Sequence, residues 1–148
     1  MSQGASGIEL ETSLGYLLKE VSSALRTAME AVLRPLGMSV THYSCLELLA
    51  QRPGLSNSEL ARGTFVTRQA MNVLLQALEG DGLVTRSQQP ASGRALPTRL
   101  TAAGRAQLAT ASAAVKGVED RMKSQLSPSE QDALRAMLSA CAVSLRAS

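Results

Sequence analysis

In the stretch VTRQAMNVLLQALEGDG, Val66 to Gly82, side chains able to read a polar surface recur along one side of a would-be helix. At roughly 100° per residue, Arg68, Gln69, Asn72, Gln76 and Glu79 fill an arc roughly 100° wide, and Ala70, Met71, Leu74 and Leu78 fall together opposite it. Arginine donates to both acceptors of a guanine edge, and asparagine or glutamine pairs with adenine. Each such pairing discriminates by about 1–3 kcal/mol. Thr67 and Arg68 stand where a helix presents unpaired N–H groups and positive potential, which favours phosphate. Periodicity by itself also allows a plainly solvated face, so the charge distribution has to decide.

The net charge of +3 is unevenly spread. Between Arg62 and Arg105 lie Arg62, Arg68, Arg86, Arg94, Arg99 and Arg105 against Glu79 and Asp81, a local excess of +4. The nine basic and ten acidic residues elsewhere leave −1. The segment has no lysine, and arginine is the better fork for phosphates and guanine edges. A nucleic-acid footprint is the reading this supports.

Other chemistries lack material. Cys45 and Cys141 are far apart with no CxxC, and His42 is the one histidine in 148 residues, so neither a zinc site nor a Cys–His–Asn triad can be assembled. There is no Gly-rich phosphate loop, no nucleophile–base pairing and no paired acidic motif. The sequence predicts no enzyme, no metal and no cofactor. His42 and Cys45 share a helix face at i and i+3, which leaves a thiol activated by imidazole as a redox reading for Cys45 beside an inert core cysteine.

The elements that must carry these residues follow from caps and periods. With only 2% aromatic residues, the core has to be Leu, Val, Ala and Met, which suits helix packing. Leu14, Leu17, Leu18, Val21, Leu25, Ala28, Met29 and Val32 keep a 3–4 spacing that Pro35 and Gly37 end. A second helix opens near Thr41 and stops at Pro53. SNSE, Ser56 to Glu59, matches a capping box before a short helix ending near Gly63. Thr67 then caps the two-faced helix, and Gly80 and Gly82 close it.

Leu83–Gln88 and Ala95–Thr101 alternate with period two around QPASGR, a hairpin with Arg94 at its tip. Pro97 belongs on an edge. Thr101 caps a long helix whose Leu108, Val115 and Met122 repeat in sevens, and Ser127–Glu130 opens the last one. A short capped helix, a turn and a polar-faced helix form a helix-turn-helix, and the hairpin makes it winged. The fold class is mainly α with a small β-hairpin wing. Arg94 is positioned as a minor-groove probe, Ser56 and Asn57 open a helix where they can hold phosphate, and Arg86 can contact backbone phosphate or form an internal ion pair. The apolar stripes at both chain ends exceed what a lone winged module needs, which favours a homodimer on two half-sites.

The run from Leu55 to Arg86, followed by SGRALPTRLTAAGRAQL, resembles MarR-family transcriptional regulators, and the likeness extends from about Leu14 to the C-terminus. The matching elements are Val66-Thr67, Leu78-Glu79 with Gly82-Leu83-Val84, Arg94, and Leu100-Thr101 with Gly104. One position departs: Ser92 stands where the family has a wing aspartate that braces the arginine. The resemblance implies residues 1–12 as a tail and 13–148 as a single domain. Within it a winged helix-turn-helix covers about 38–101, and dimerisation helices cover about 13–34 and 102–147. It further implies a homodimer on a palindromic double-stranded operator, acting as a repressor released by a small aromatic or phenolic acid. That effector would sit in a cleft bordered by Tyr16, Arg26, His42 and Tyr43. The N-terminal tail lacks a signal-peptide pattern and no apolar run approaches the ~20 residues of a membrane span, so a cytoplasmic protein is expected. Two alternatives stand beside this reading: a winged-helix protein–protein interaction module, and a thiol-based oxidant-sensing repressor using Cys45.

Overall fold

The computed structural model describes residues 7–86 and 97–147. Helix α1 (Leu14–Leu33) begins at Ser13, whose Oγ accepts from the Tyr16 N–H at 3.2 Å. A single 3-10 turn, Arg34–Leu36, and Gly37 in the left-handed region (φ 73°) end it, as Pro35 and Gly37 dictate. Helix α2 (Val40–Gln51) is capped by Ser39, which accepts from His42 N–H at 3.0 Å. The sequence pointed to Thr41, which instead lies within the first turn. Both hydroxyls can cap, and Ser39 is the one that does.

Helix α3 (Asn57–Thr64) carries the full capping box: Ser56 Oγ accepts from Glu59 N–H at 3.2 Å and Glu59 Oε1 accepts from Ser56 N–H at 3.0 Å. Helix α4 (Arg68–Gly80) is capped by Thr67 and closes through Asp81 and Gly82 (φ 76°). Strands β1 (Val84–Arg86) and β2 (Thr98–Leu100) pair antiparallel, Val84 opposite Leu100 and Arg86 opposite Thr98. They lie within the predicted hairpin, whose tip falls outside the described residues. The alternation did not reveal a third arm. Thr98 N–H donates to Leu55 O at 3.0 Å, and Gly54 N–H donates to Thr98 O at 3.0 Å, tying the loop before α3 to β2.

The chain divides into two compact units, residues 1–115 and 116–148. The core of the first is Leu46 and Leu49 of α2, Leu60 of α3, Met71, Leu75 and Leu78 of α4, and Val84 and Leu100 of the sheet. A fully buried leucine contributes about 1.5–3 kcal/mol, so these side chains fix how α4 sits on α3. Ala70, which the period grouped with the core side, is exposed, and Leu75, which it did not, is buried.

Helix α5 (Ala102–Met122) is bound to the end of α4 at its first turn. Thr101 N–H donates to Leu83 O at 3.1 Å, Thr101 Oγ1 donates to Gly82 O at 2.6 Å, and Gly104 N–H donates to Thr101 Oγ1 at 3.0 Å. A Cβ on Gly104 would overlap the Leu83 carbonyl oxygen. In the second unit, α6 (Pro128–Arg146) opens on the expected Ser127/Glu130 capping box. Met122, Leu126, Leu134 and Leu138 line a cleft there between the end of α5 and α6. Leu14, Leu17, Leu18 and Val21 on α1, and Leu134, Met137 and Leu138 on α6, are exposed in the single chain. Such stripes are the kind of surface a second subunit covers. None of the described helices is long and apolar enough to cross a membrane.

Candidate nucleic-acid interface

Helix α4 presents its N-terminal turn to solvent because Met71, Leu75 and Leu78 anchor the opposite face on α2 and α3. Thr67 Oγ1 accepts from Ala70 N–H at 3.0 Å, leaving the hydroxyl proton to donate outward. Arg68, Gln69 and Gln76 are exposed, as the period predicts. Arg68 has no ion-pair partner among the described residues. This edge combines a guanidinium, two amides and the positive end of a 13-residue helix.

Two members of the predicted arc behave differently. Asn72 and Glu79 are half-buried at its edge, because β1 folds back and lays Arg86 against them. Arg86 Nη2 donates to Glu79 Oε1 at 3.2 Å and Nη1 donates to Asn72 Oδ1 at 3.4 Å, with the arginine side chain only 16% exposed. Of the two readings the sequence left for Arg86, the internal ion pair is the one formed. Its guanidinium is turned inward onto α4.

Asn57 donates through Nδ2 to the same Asn72 Oδ1 at 3.5 Å, and its own Oδ1 is buried without a partner among the described residues. The Asn57 side chain thus lies in the seam between α3 and α4 and not on the outside of the α3 N-terminus. Ser56 has its hydroxyl and N–H engaged in the capping box. The two Ser56 contacts, first that of its backbone N–H, hold the Glu59 carboxyl below its usual pKa. Arg94 and Ser92 fall outside the described residues.

The residues the family resemblance assigned to an effector separate into two groups. His42 Nε2 bonds Gln107 Oε1 at 2.9 Å, linking α2 to α5. Tyr43 is buried and donates to Glu47 Oε1 at 2.8 Å, the oxygen that also accepts from Ser112 of α5 at 2.8 Å. Tyr16 and Arg26 are both on α1, ten residues and so about 15 Å apart along it. Tyr16 is exposed and Arg26 pairs with Glu30 at 3.7 Å.

Glu47, which the sequence analysis did not single out, is the centre of that seam. Burial raises its pKa, but hydrogen bonds from Tyr43, Ser112 and Gln51 outweigh burial and leave it lowered. A folded-state pKa below the unfolded one contributes stability above the unfolded value, and that stability is lost as pH falls through the folded value. Glu47→Gln, which cannot ionise, should therefore show a smaller drop in thermal midpoint between about pH 5 and pH 3 than the parent protein. Equal acid sensitivity of the two would show that the carboxylate contributes nothing to the seam.

The thiol-sensor expectation for Cys45 meets a correction. The residue is 0% exposed, burial pushes its thiol up to about 12, and its nearest polar contact is the Met71 sulfur at 4.0 Å. His42, engaged with Gln107, does not activate it. A reactive thiol needs access and a stabilised thiolate, and the core denies both. Sharing a helix face did not give the two residues the same depth: Cys45 is buried and His42 half-buried.

One exposed feature escaped the sequence reading. Phe65, 85% exposed, holds φ 62° at the C-cap of α3, a conformation disfavoured for a residue with a Cβ. A Gly is the usual signal for such a turn, and none stands here to mark it.

The comparisons agree with this geometry. The model described as "MarR family" matches residues 36–95. The HTH-type transcriptional repressor Rv2887 of Mycobacterium tuberculosis is 43% identical over 132 residues, 89% of this chain and 95% of its own length. A crystal structure of Rv2887 in complex with DNA superposes with a TM-score of 0.72 at 41% identity, covering 88% of this chain and 98% of that one. Rv2887 in complex with salicylic acid gives 0.72 at 43% identity, covering 88% and 96%. The transcriptional repressor CouR bound to a 23-mer DNA duplex gives 0.80 at 34% identity, covering 95% and 99%. With a winged helix-turn-helix between two long terminal helices, and a relative this similar along nearly its whole length, the chain belongs to the MarR family.

Proposed function

We propose that this protein is a homodimeric repressor that reads a palindromic duplex with Thr67, Arg68, Gln69 and Gln76, two copies of α4 entering successive major grooves. It is a sequence-specific DNA-binding transcriptional regulator and not an enzyme, and it acts in the cytoplasm. The observation that carries the reading is the exposed Arg68, without an ion-pair partner among the described residues, beside Gln69 at the N-terminal turn of α4, within a lysine-free arginine segment. Arg94 adds a minor-groove contact from the wing. Release is by a small aromatic acid, supported by salicylic acid on Rv2887 and by the related repressor CouR bound to p-coumaroyl-CoA. His42 and Tyr43, next to α5, are the side chains best placed to respond to it.

The test is a salt titration of binding to a palindromic fragment recovered from genomic DNA by the protein itself. Phosphate contacts release counterions, so with six or more of them affinity should drop about a thousandfold or more between roughly 50 and 200 mM salt. A protein–protein interaction module would recover no fragment and show no such dependence, and that result would displace this reading.

A further inference from the structure

The cluster of Arg86, Asn72, Asn57 and Glu79 bears on what α4 can read. Asn72 lies one turn into the helix, at the edge of its exposed face, and its amide has two chemically different ends. Arginine carries only N–H donors, so the group facing Arg86 has to be the acceptor, Asn72 Oδ1. That oxygen also takes the Asn57 Nδ2 contact. Glu79 holds the other arm of the fork, which stops Arg86 from swinging away. Asn72 Nδ2 makes no hydrogen bond among the described residues.

We propose that Arg86 is a positioning residue that holds Asn72 as a donor-only reader, so that α4 selects a keto base at the position Asn72 meets. An unconstrained asparagine offers one donor and one acceptor, the pattern that complements adenine N7 and N6. With its oxygen held inward, Asn72 has only N–H to offer. Guanine, with N7 and O6, and thymine, with O4, offer it acceptors unopposed by an amino group. Adenine sets its N6 amino group beside its single acceptor N7 and cytosine presents only an amino donor, so both are met less well. This inference rests on the proposed role of α4 in the major groove, and it concerns one base position per half-site.

The experiment is selection of bound sequences from a randomised duplex pool by the parent protein, Arg86→Met, Arg86→Lys and Glu79→Gln, with a salt titration of each on the selected duplex. The parent should prefer guanine or thymine over adenine and cytosine at one position in each half-site. Arg86→Met, which frees the amide, should reduce that preference roughly tenfold or move it to adenine, with other positions and the salt slope unchanged. Arg86→Lys keeps the charge, but one ammonium cannot span Asn72 and Glu79, so it should lose the same preference. Glu79→Gln leaves Arg86 in place with a weaker anchor and should lose part of it, which keeps the idea testable if Arg86→Met does not fold.

A uniform loss of affinity with a salt slope lower by about one in Arg86→Met, restored in Arg86→Lys, would identify a phosphate contact and overturn the proposal. An unchanged preference in all three variants, or a parent that selects adenine there, would overturn it as well. A parent that selects no duplex at all would instead count against the regulator reading.

Discussion

Arg68→Ala is expected to cause the largest loss of sequence-specific binding of any single substitution on α4. Arg68 is the first residue of the helix, is exposed, and carries no ion pair among the described residues, so its guanidinium is free to meet a base edge. Losing a bidentate contact removes about 1–3 kcal/mol of discrimination. A symmetric dimer loses it twice, which corresponds to roughly thirtyfold to more than ten-thousandfold in affinity. The loss should fall on the palindromic duplex and spare a scrambled one, as measured by fluorescence anisotropy at a single fixed ionic strength. An equal loss on both duplexes would make Arg68 a phosphate contact, and no loss on either would remove it from the interface.

The second large effect is on stability. Gly104→Ala places a methyl group against the Leu83 carbonyl oxygen, which is backbone and already accepts from Thr101 N–H. A side chain in that place could rotate aside. Here α5 itself has to move off the hairpin base and strain the Thr101 contacts. Overpacking of this kind costs about 1–3 kcal/mol, and a chain of this size shifts by about 2–4 °C per kcal/mol. Thermal unfolding should show a drop of several degrees. Gly117→Ala on the same helix, with nothing within 4 Å of the added carbon, is the control and should be neutral or stabilising. If both variants melt alike, the close approach at Gly104 has no energetic weight.

The sequence was most legible where one residue's chemistry settles a local question. Ser56 with Glu59, Thr67, Thr101 and Ser127 cap helices where their spacing said they would, because a cap needs only its own turn. The family resemblance also pointed to Gly104, and the carbonyl beside it supplies the physical reason. The period of α4 gave the buried side correctly at Met71 and Leu78. It failed at Asn72 and Glu79 because helix phase cannot reveal what a later strand will lay across an edge. The inward turn of Arg86 is a tertiary fact, decided by the pairing of β1 with β2. Leu55 joined that sheet through one bridge, too short to leave any alternation. Cys45 and His42 show the same limit: a shared face at i and i+3 says nothing about the depth of each side chain.

The first turns of α5 are fastened at three heights. Thr101 grips the backbone just beyond α4, Gln107 holds His42, and Ser112 holds Glu47. A rod fixed this way has no slack along residues 101–112. A twist or tilt applied to that stretch is expected to reach the closing end of α4 through the Thr101–Gly82 contact. The edge of α4 proposed to read the groove is thereby expected to follow whatever turns α5, and the close approach at Gly104 sets how tightly the two are held.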